Sequence, residues 1–157
     1  MSRFDEGASV ALLFVIVANA AAWAAGRLMP ISWRAPVDGG AMLADRERIL
    51  GDHKTWGGLI AGAIACGAVA LLLQRPFLLG VAFGVLSLAG DCGSSFVKRR
   101  LRLRPGMEVP LLDQLPEALI PLLVLARPLG LRPDQCVIVV LLFSLLDFSA
   151  SRLRRAR

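Results

Sequence analysis

The chain has little of what most metal and redox sites are made from. His53 is its only histidine among 157 residues, which excludes a histidine-rich metal cage. Cys66, Cys92 and Cys136 are its only cysteines, and they form no CxxC pair. Two lie within apolar runs and Cys92 abuts Asp91, so they read as small buried hydrophobes rather than disulfide partners or thiolate ligands. Lysine occurs only at positions 54 and 98, although Lys and Arg together number 18 against 12 Asp and Glu. The net charge of +6 would suit a nucleic-acid partner, but a polar face studded with aromatics is missing too. The cations sit at the ends of apolar runs, as membrane-flanking cations do, and no nucleic-acid partner is expected.

What the chain has in excess is apolar matter. It is 56% hydrophobic with a mean hydropathy of +0.64, too apolar for an ordinary globular surface. Residues 8–26 are uncharged and long enough to span hydrocarbon as a helix. Asp5 and Glu6 before them argue against a signal peptide. Residues 55–74 form a second uncharged stretch, and Gly58 and Gly62 in it would let another helix approach closely. Residues 76–97 are uncharged except for Asp91. A fourth span over 111–127 carries Glu117 and Pro121, and a fifth over 135–151 is interrupted by Asp147. The expected fold is all-α: one integral membrane domain, residues 1–157, with five transmembrane helices.

An odd number of spans puts the termini on opposite sides, so basic residues choose the orientation. The segments 27–54 and 98–110 and the tail hold all 18 cations except Arg3, Arg75, Arg127 and Arg132. The positive-inside rule then places the N-terminus outside and both segments and the C-terminus in the cytoplasm. The expected location is the cell inner (cytoplasmic) membrane, as a multi-pass protein. The terminal RLRRAR reads as a topology anchor that favours anionic headgroups.

The cytoplasmic segments carry the polar chemistry. The first reads PVDGGAMLADRERILGDHKTWGG, with Asp38, Asp45, Glu47 and Asp52 interspersed with Arg46, Arg48 and Lys54. The paired glycines Gly39 and Gly40 permit close backbone approach. Its GDHKT lacks the GxxxxG spacing of a Walker loop and follows no strand. Lys54 and Thr55 nevertheless open a helix, where free backbone N–H groups and the helix dipole favour phosphate.

Asp91 stands seven residues before Lys98, about 10 Å along a helix. It therefore lies below the headgroups yet within reach of the cytoplasm. An acid at bilayer depth costs about 2.5–3.5 kcal/mol on insertion scales and usually faces a partner or an aqueous cavity. Ser94, Ser95 and Lys98 share its helical face. Asp113 falls at the start of the next helix on the same side, with Glu117 one turn further. Two acids on consecutive antiparallel helices can converge as oxygen ligands for Mg²⁺, which usually shares its sphere with substrate phosphates. The plainer alternative is an interhelical salt bridge from Asp91 or Asp113 to an arginine. Asp147, alone near the basic end of the fifth helix, reads as a structural pair.

PVDGG, GDHKTWGG and GDCGSSFVKRRLRLRPGMEVPLLDQ together resemble the CDP-archaeol synthase family, a small five-helix branch related to the CDP-diacylglycerol synthases (phosphatidate cytidylyltransferases). Lys54-Thr55-Trp56 matches the first motif of the larger relatives. Gly90-Asp91, Lys98-Arg99, Pro105-Gly106 and Leu112-Asp113 match the second, in order. The resemblance implies a membrane enzyme that condenses CTP with a membrane lipid phosphate, releasing pyrophosphate and leaving a CDP-activated lipid. It implies Mg²⁺ held by Asp91 and Asp113, and it allows K⁺ at the same centre. Lys54 would act with these acids in catalysis, and Lys98, Arg99, Thr55, Asp38, Gly39 and Gly40 would contact substrate. Pro116 departs from the family, standing where many relatives repeat an aspartate, and Glu117 is the candidate stand-in. The acceptor is either an archaeal-type unsaturated ether lipid or phosphatidic acid. Rival readings are a CTP-dependent lipid or polyprenol kinase and a small transporter; the latter predicts internal repeats, and none stands out here.

Overall fold

Local chemistry decides where each helix starts and stops. The computed structural model describes residues 3–104, 107, 109 and 111–155. Pro105 and Gly106 of the second motif lie outside the described residues, as do the side chains of Arg3 and of the last five residues. Five α-helices follow one another among the described residues: α1 Arg3–Leu28, α2 Trp56–Leu72, α3 Phe77–Arg100, α4 Gln114–Leu129 and α5 Pro133–Arg155. Thr55 caps α2 by accepting a 3.2 Å hydrogen bond from Gly58 N–H at its Oγ1. Pro76 precedes α3 and Pro133 opens α5, positions where a missing N–H removes no helical bond. Gly130, at φ 69°, ends α4 in the left-handed conformation.

No strand occurs among the described residues, only isolated bridges between Pro36 and Thr55 and between Met42 and Arg48. The fold is all-helical, as expected. Among the described residues, three helical stretches are long and apolar enough to cross a membrane: Glu6–Leu28, Phe77–Arg100 and Pro133–Ala150. Trp56–Leu72 is a shorter apolar helix of 17 residues.

The start of the fourth helix differs from the expectation. Leu111, Leu112 and Asp113 form a turn, and α4 begins at Gln114. Leu111 sits at φ 68°, a conformation that a helix cannot include. Side chains hold the turn: Val109 N–H donates to Asp113 Oδ2 at 3.0 Å, and Leu111 N–H to Gln114 Oε1 at 2.7 Å. Pro121 lies inside α4 and has no N–H for the carbonyl of Glu117, one turn earlier.

Helix α3 packs between α2 and α4, while α1 touches all four others. One half of the bundle is a dry core in which Phe14 meets Phe83, ring centroids 5.3 Å apart, among Val10, Ala18, Leu122 and Phe143. Outward-facing Leu72, Leu78 and Leu123 are strongly exposed, as suits a surface solvated by lipid. Small residues let the helices touch backbone to backbone. A Cβ on Gly62 would lie 2.9 Å from Ala18 O of α1, and one on Gly84 2.9 Å from Ala63 Cα of α2.

Gly90 does the same between α3 and α4. A methyl there would strike the Pro116 carbonyl and lie 2.8 Å from Glu117 Cα, both backbone that cannot rotate away. Gly90→Ala is therefore expected to cost about 1–3 kcal/mol by overpacking. A lowered unfolding midpoint in detergent, followed by tryptophan fluorescence, checks it. An unchanged midpoint would show that α3 and α4 are not held at this spacing.

Candidate active site

The other half of the bundle is hollow. A cavity of about 730 Å³ opens where all five helices meet the loop before α2 and the turn before α4. Its acids are Asp91, Asp113, Glu117 and Asp147, contributed by three helices and the turn before α4. Its cations include Arg27, Lys54, Lys98 and Arg99, and Thr55 also lines it. Six of the nine residues singled out from sequence thus face one space: Asp91, Asp113, Lys54, Lys98, Arg99 and Thr55.

The remaining three do not line it. Asp38 accepts Arg48 Nη2 at 2.6 Å and Nε at 3.3 Å, and backbone N–H groups of Leu50, Gly51 and Gly40 at 2.9, 3.0 and 3.1 Å. Its side chain is 1% exposed. A carboxylate so saturated spends its lone pairs on the chain itself, so Asp38 organises this loop. Gly39 and Gly40 adopt φ 56° and 86° in the turn beside it, which explains the glycine pair without a ligand.

The loop that Asp38 closes carries Lys54 to the cavity. Val37 N–H donates to Lys54 O at 2.7 Å and Trp56 N–H to Ala35 O at 3.0 Å, fixing the backbone on both sides of that lysine. Arg100 ties the loop to α3: Nη1 meets Asp45 Oδ2 at 2.5 Å and Nη2 donates to Arg48 O at 2.6 Å. The Arg48 guanidinium holds the Asp38 carboxyl well below the usual carboxylate range, against a smaller opposing effect of burial. Because the folded value is depressed, the stabilisation is complete above about pH 4 and fades as pH falls towards that lower value. Acid titration should therefore leave the loop ordered through the range where free carboxyls protonate, whereas Asp38→Asn should loosen it already at pH 7. Hydrogen exchange of the Leu50 and Gly51 amides reads both; protection unchanged in the variant would remove Asp38 from this role.

In the cavity each acid has a partner. Lys54 pairs with Asp91. Burial opposes charge on Lys54, but Asp91, with Cys92 and Glu117 adding to it, keeps the amine above the ordinary lysine range. Lys98 Nζ forms an ion pair with Asp113 Oδ1 at 2.6 Å, and no other donor among the described residues reaches that buried oxygen. Glu117 accepts from Asn19 of α1, and Asp147 Oδ2 from Gln114 Nε2 at 2.9 Å. Ser94 Oγ donates to Asp91 O at 2.9 Å, and Ser95 lines the cavity.

The expected alternative of an arginine salt bridge at Asp91 or Asp113 is replaced by lysine pairing. Asn19 and Gln114 escaped the sequence reading. A lone amide in an otherwise apolar span is the signal for Asn19, since such side chains hydrogen-bond across helices.

Among the described residues, no three His, Cys, Asp or Glu side chains cluster closely enough to hold an ion by themselves. The donor set suits a metal shared with its substrate instead. Two hard carboxylates line one space, each ion-paired to a lysine, and further cations for phosphate stand beside them.

A family model described as CarS-like, CDP-archaeol synthase, matches residues 10–78 and 73–152. The chain belongs to the CDP-archaeol synthase family. It is 43% identical over 104 residues to the CDP-archaeol synthase of Thermofilum pendens, covering 63% of this chain and 51% of that protein. The CDP-archaeol synthase of Aeropyrum pernix is 44% identical over 114 residues, covering 69% and 62%. This chain thus matches between half and five-eighths of the length of these curated relatives. A solved structure of an intramembrane enzyme for archaeal membrane lipids biosynthesis superposes with a TM-score of 0.76 at 37% identity, over 90% of each chain. The family match spans the bundle and both loops that line the cavity, Lys54 and Asp91 included.

Proposed function

We propose that this protein is a CTP-dependent lipid-phosphate cytidylyltransferase in phospholipid biosynthesis, joining CTP to a glycerolipid phosphate to give a CDP-activated lipid and pyrophosphate. The observation that carries the reading is one cavity, at one end of an apolar bundle, lined by Asp91, Asp113 and their lysines. An unsaturated ether-lipid phosphate is the favoured acceptor, because the relatives just described are CDP-archaeol synthases; phosphatidic acid is the competitor. The chain would cross the inner membrane five times, N-terminus outside, with the cavity opening to the cytoplasm where most of the basic residues lie.

The chemical difficulty is that both reactants are anions. Asp91 and Asp113 would hold Mg²⁺, with K⁺ as a further candidate ion. The ion would supply positive field at the phosphates. Lys54 and Lys98, released from their carboxylates, would hold phosphate oxygens, and Arg99 would add a third cation. Thr55, fixed as the cap of α2, would keep the free N–H groups of that helix turned to the nucleotide. The lipid phosphate oxygen would attack the α-phosphorus at the depth set by Asp91, where positioning supplies much of the rate.

Membranes containing the protein should move label from α-³²P CTP, and not from γ-³²P CTP, into lipid, and only with a divalent cation. Label from the γ position would identify a lipid kinase instead. Offering ether-lipid phosphate and phosphatidic acid side by side should favour the ether lipid.

A further inference from the structure

A second, smaller cavity of about 280 Å³ lies between the two polar loops and shares Gly51, His53 and Arg99 with the larger one. Arg99, Arg102 and Arg104 project from the end of α3 and the loop after it, and His53 comes from the facing loop. Two carboxylates also line the space. Asp52 is already bonded to Arg48 at 2.8 Å, which leaves Glu47 against three arginines.

Those arginines have no acid of their own among the described residues. Arg99 is only 6% exposed, and its Nη2 donates to Arg104 O at 3.2 Å, a backbone carbonyl. Only one acceptor among the described residues meets this guanidinium, so its remaining N–H groups are free to take an anion in charge-assisted hydrogen bonds. Arg99 faces both cavities, so an anion leaving the larger one would meet this charge first. At about 280 Å³ the smaller cavity falls just below the range of about 300–1,000 Å³ for pockets that take drug-sized ligands. A hydrated diphosphate fits it.

We propose that this cavity is a product site for inorganic pyrophosphate, entered past Arg99 and held by Arg102 and Arg104. The proposal rests on the cytidylyltransferase reading. In that reaction the lipid phosphate oxygen forms a bond to the α-phosphorus. The bond from that phosphorus to the α–β bridging oxygen breaks, and the oxygen leaves with its electron pair as part of pyrophosphate. The leaving group therefore carries more charge than any segment of bound CTP that it came from. An arginine cluster one step from the reacting centre would draw it off and slow its return.

The test is titration of the purified full chain in detergent with inorganic pyrophosphate and, separately, with CTP, comparing wild type with the double variant Arg102→Gln/Arg104→Gln. Both side chains are exposed and outside the catalytic cavity, so the fold should be kept. Pyrophosphate affinity should fall at least about ten-fold, as expected for two lost charge-assisted contacts, while CTP affinity changes less than about two-fold. Pyrophosphate should also inhibit CMP transfer less strongly in the variant. An equal fall in CTP affinity would show that the cavity holds the nucleotide's own phosphates, and unchanged pyrophosphate affinity would show that it holds neither; either result overturns the proposal. Binding of pyrophosphate is read without turnover, so failure of the transferase assay is a separate result.

Discussion

Asp91→Asn should lower CMP transfer from CTP to lipid phosphate by on the order of 10³-fold or more, with insertion and folding intact. Asparagine keeps the size and one oxygen of the side chain but loses the charge that would hold a divalent ion. It also leaves Lys54 without its counter-ion. Asp113→Asn should cost a similar factor, because the second carboxylate lines the same cavity and is paired to Lys98 as Asp91 is to Lys54. If both acids serve one ion, the double variant should be scarcely worse than either single one, since groups that act as a unit are not additive. Full turnover in Asp91→Asn would remove the acid from the chemistry and return it to a structural pair with Lys54.

Lys54→Met should be nearly as damaging, with a loss of about 10²–10³-fold from removing one preorganised cation at developing phosphate charge. Methionine keeps the apolar stem and removes the ammonium. The loss should fall on both CTP affinity and turnover, because the lysine would contact the nucleotide before and during the reaction. Lys54→Arg should not rescue it fully: a planar guanidinium is larger than an ammonium, and the lysine sits between Asp91 and the capped end of α2. Steady-state rates across a CTP series, beside a tryptophan-fluorescence check of folding, decide this. Turnover within about two-fold of wild type would place the phosphate-binding charge elsewhere.

The helices were legible because apolar runs bounded by Arg, Pro and Gly leave a chain few alternatives. The start of α4 was not, since hydropathy alone does not register that Leu111 takes a left-handed conformation and that Asp113 and Gln114 side chains capture the turn's amides. Asp91, Asp113 and Lys54 could be picked out because charge at the edge of hydrocarbon is costly and therefore informative. The structural work of Asp38 was hidden for a related reason. A carboxylate in a glycine-flanked loop has the composition of a ligand site, and only its five hydrogen bonds reveal that the loop itself uses it. Asn19 was missed because it is neutral and lies 98 positions from the glutamate it meets.

The pairing of the four cavity acids has a consequence for how the protein is made. Asp91 meets Lys54, Asp113 meets Lys98, Glu117 meets Asn19 and Asp147 meets Gln114. In every case the partner precedes the acid in the chain. During synthesis, which runs from the first residue to the last, each acid emerges after the group that can neutralise or hydrogen-bond it. None of these four pairs waits for a segment still inside the ribosome, whereas Glu6 of α1 must wait for Arg75.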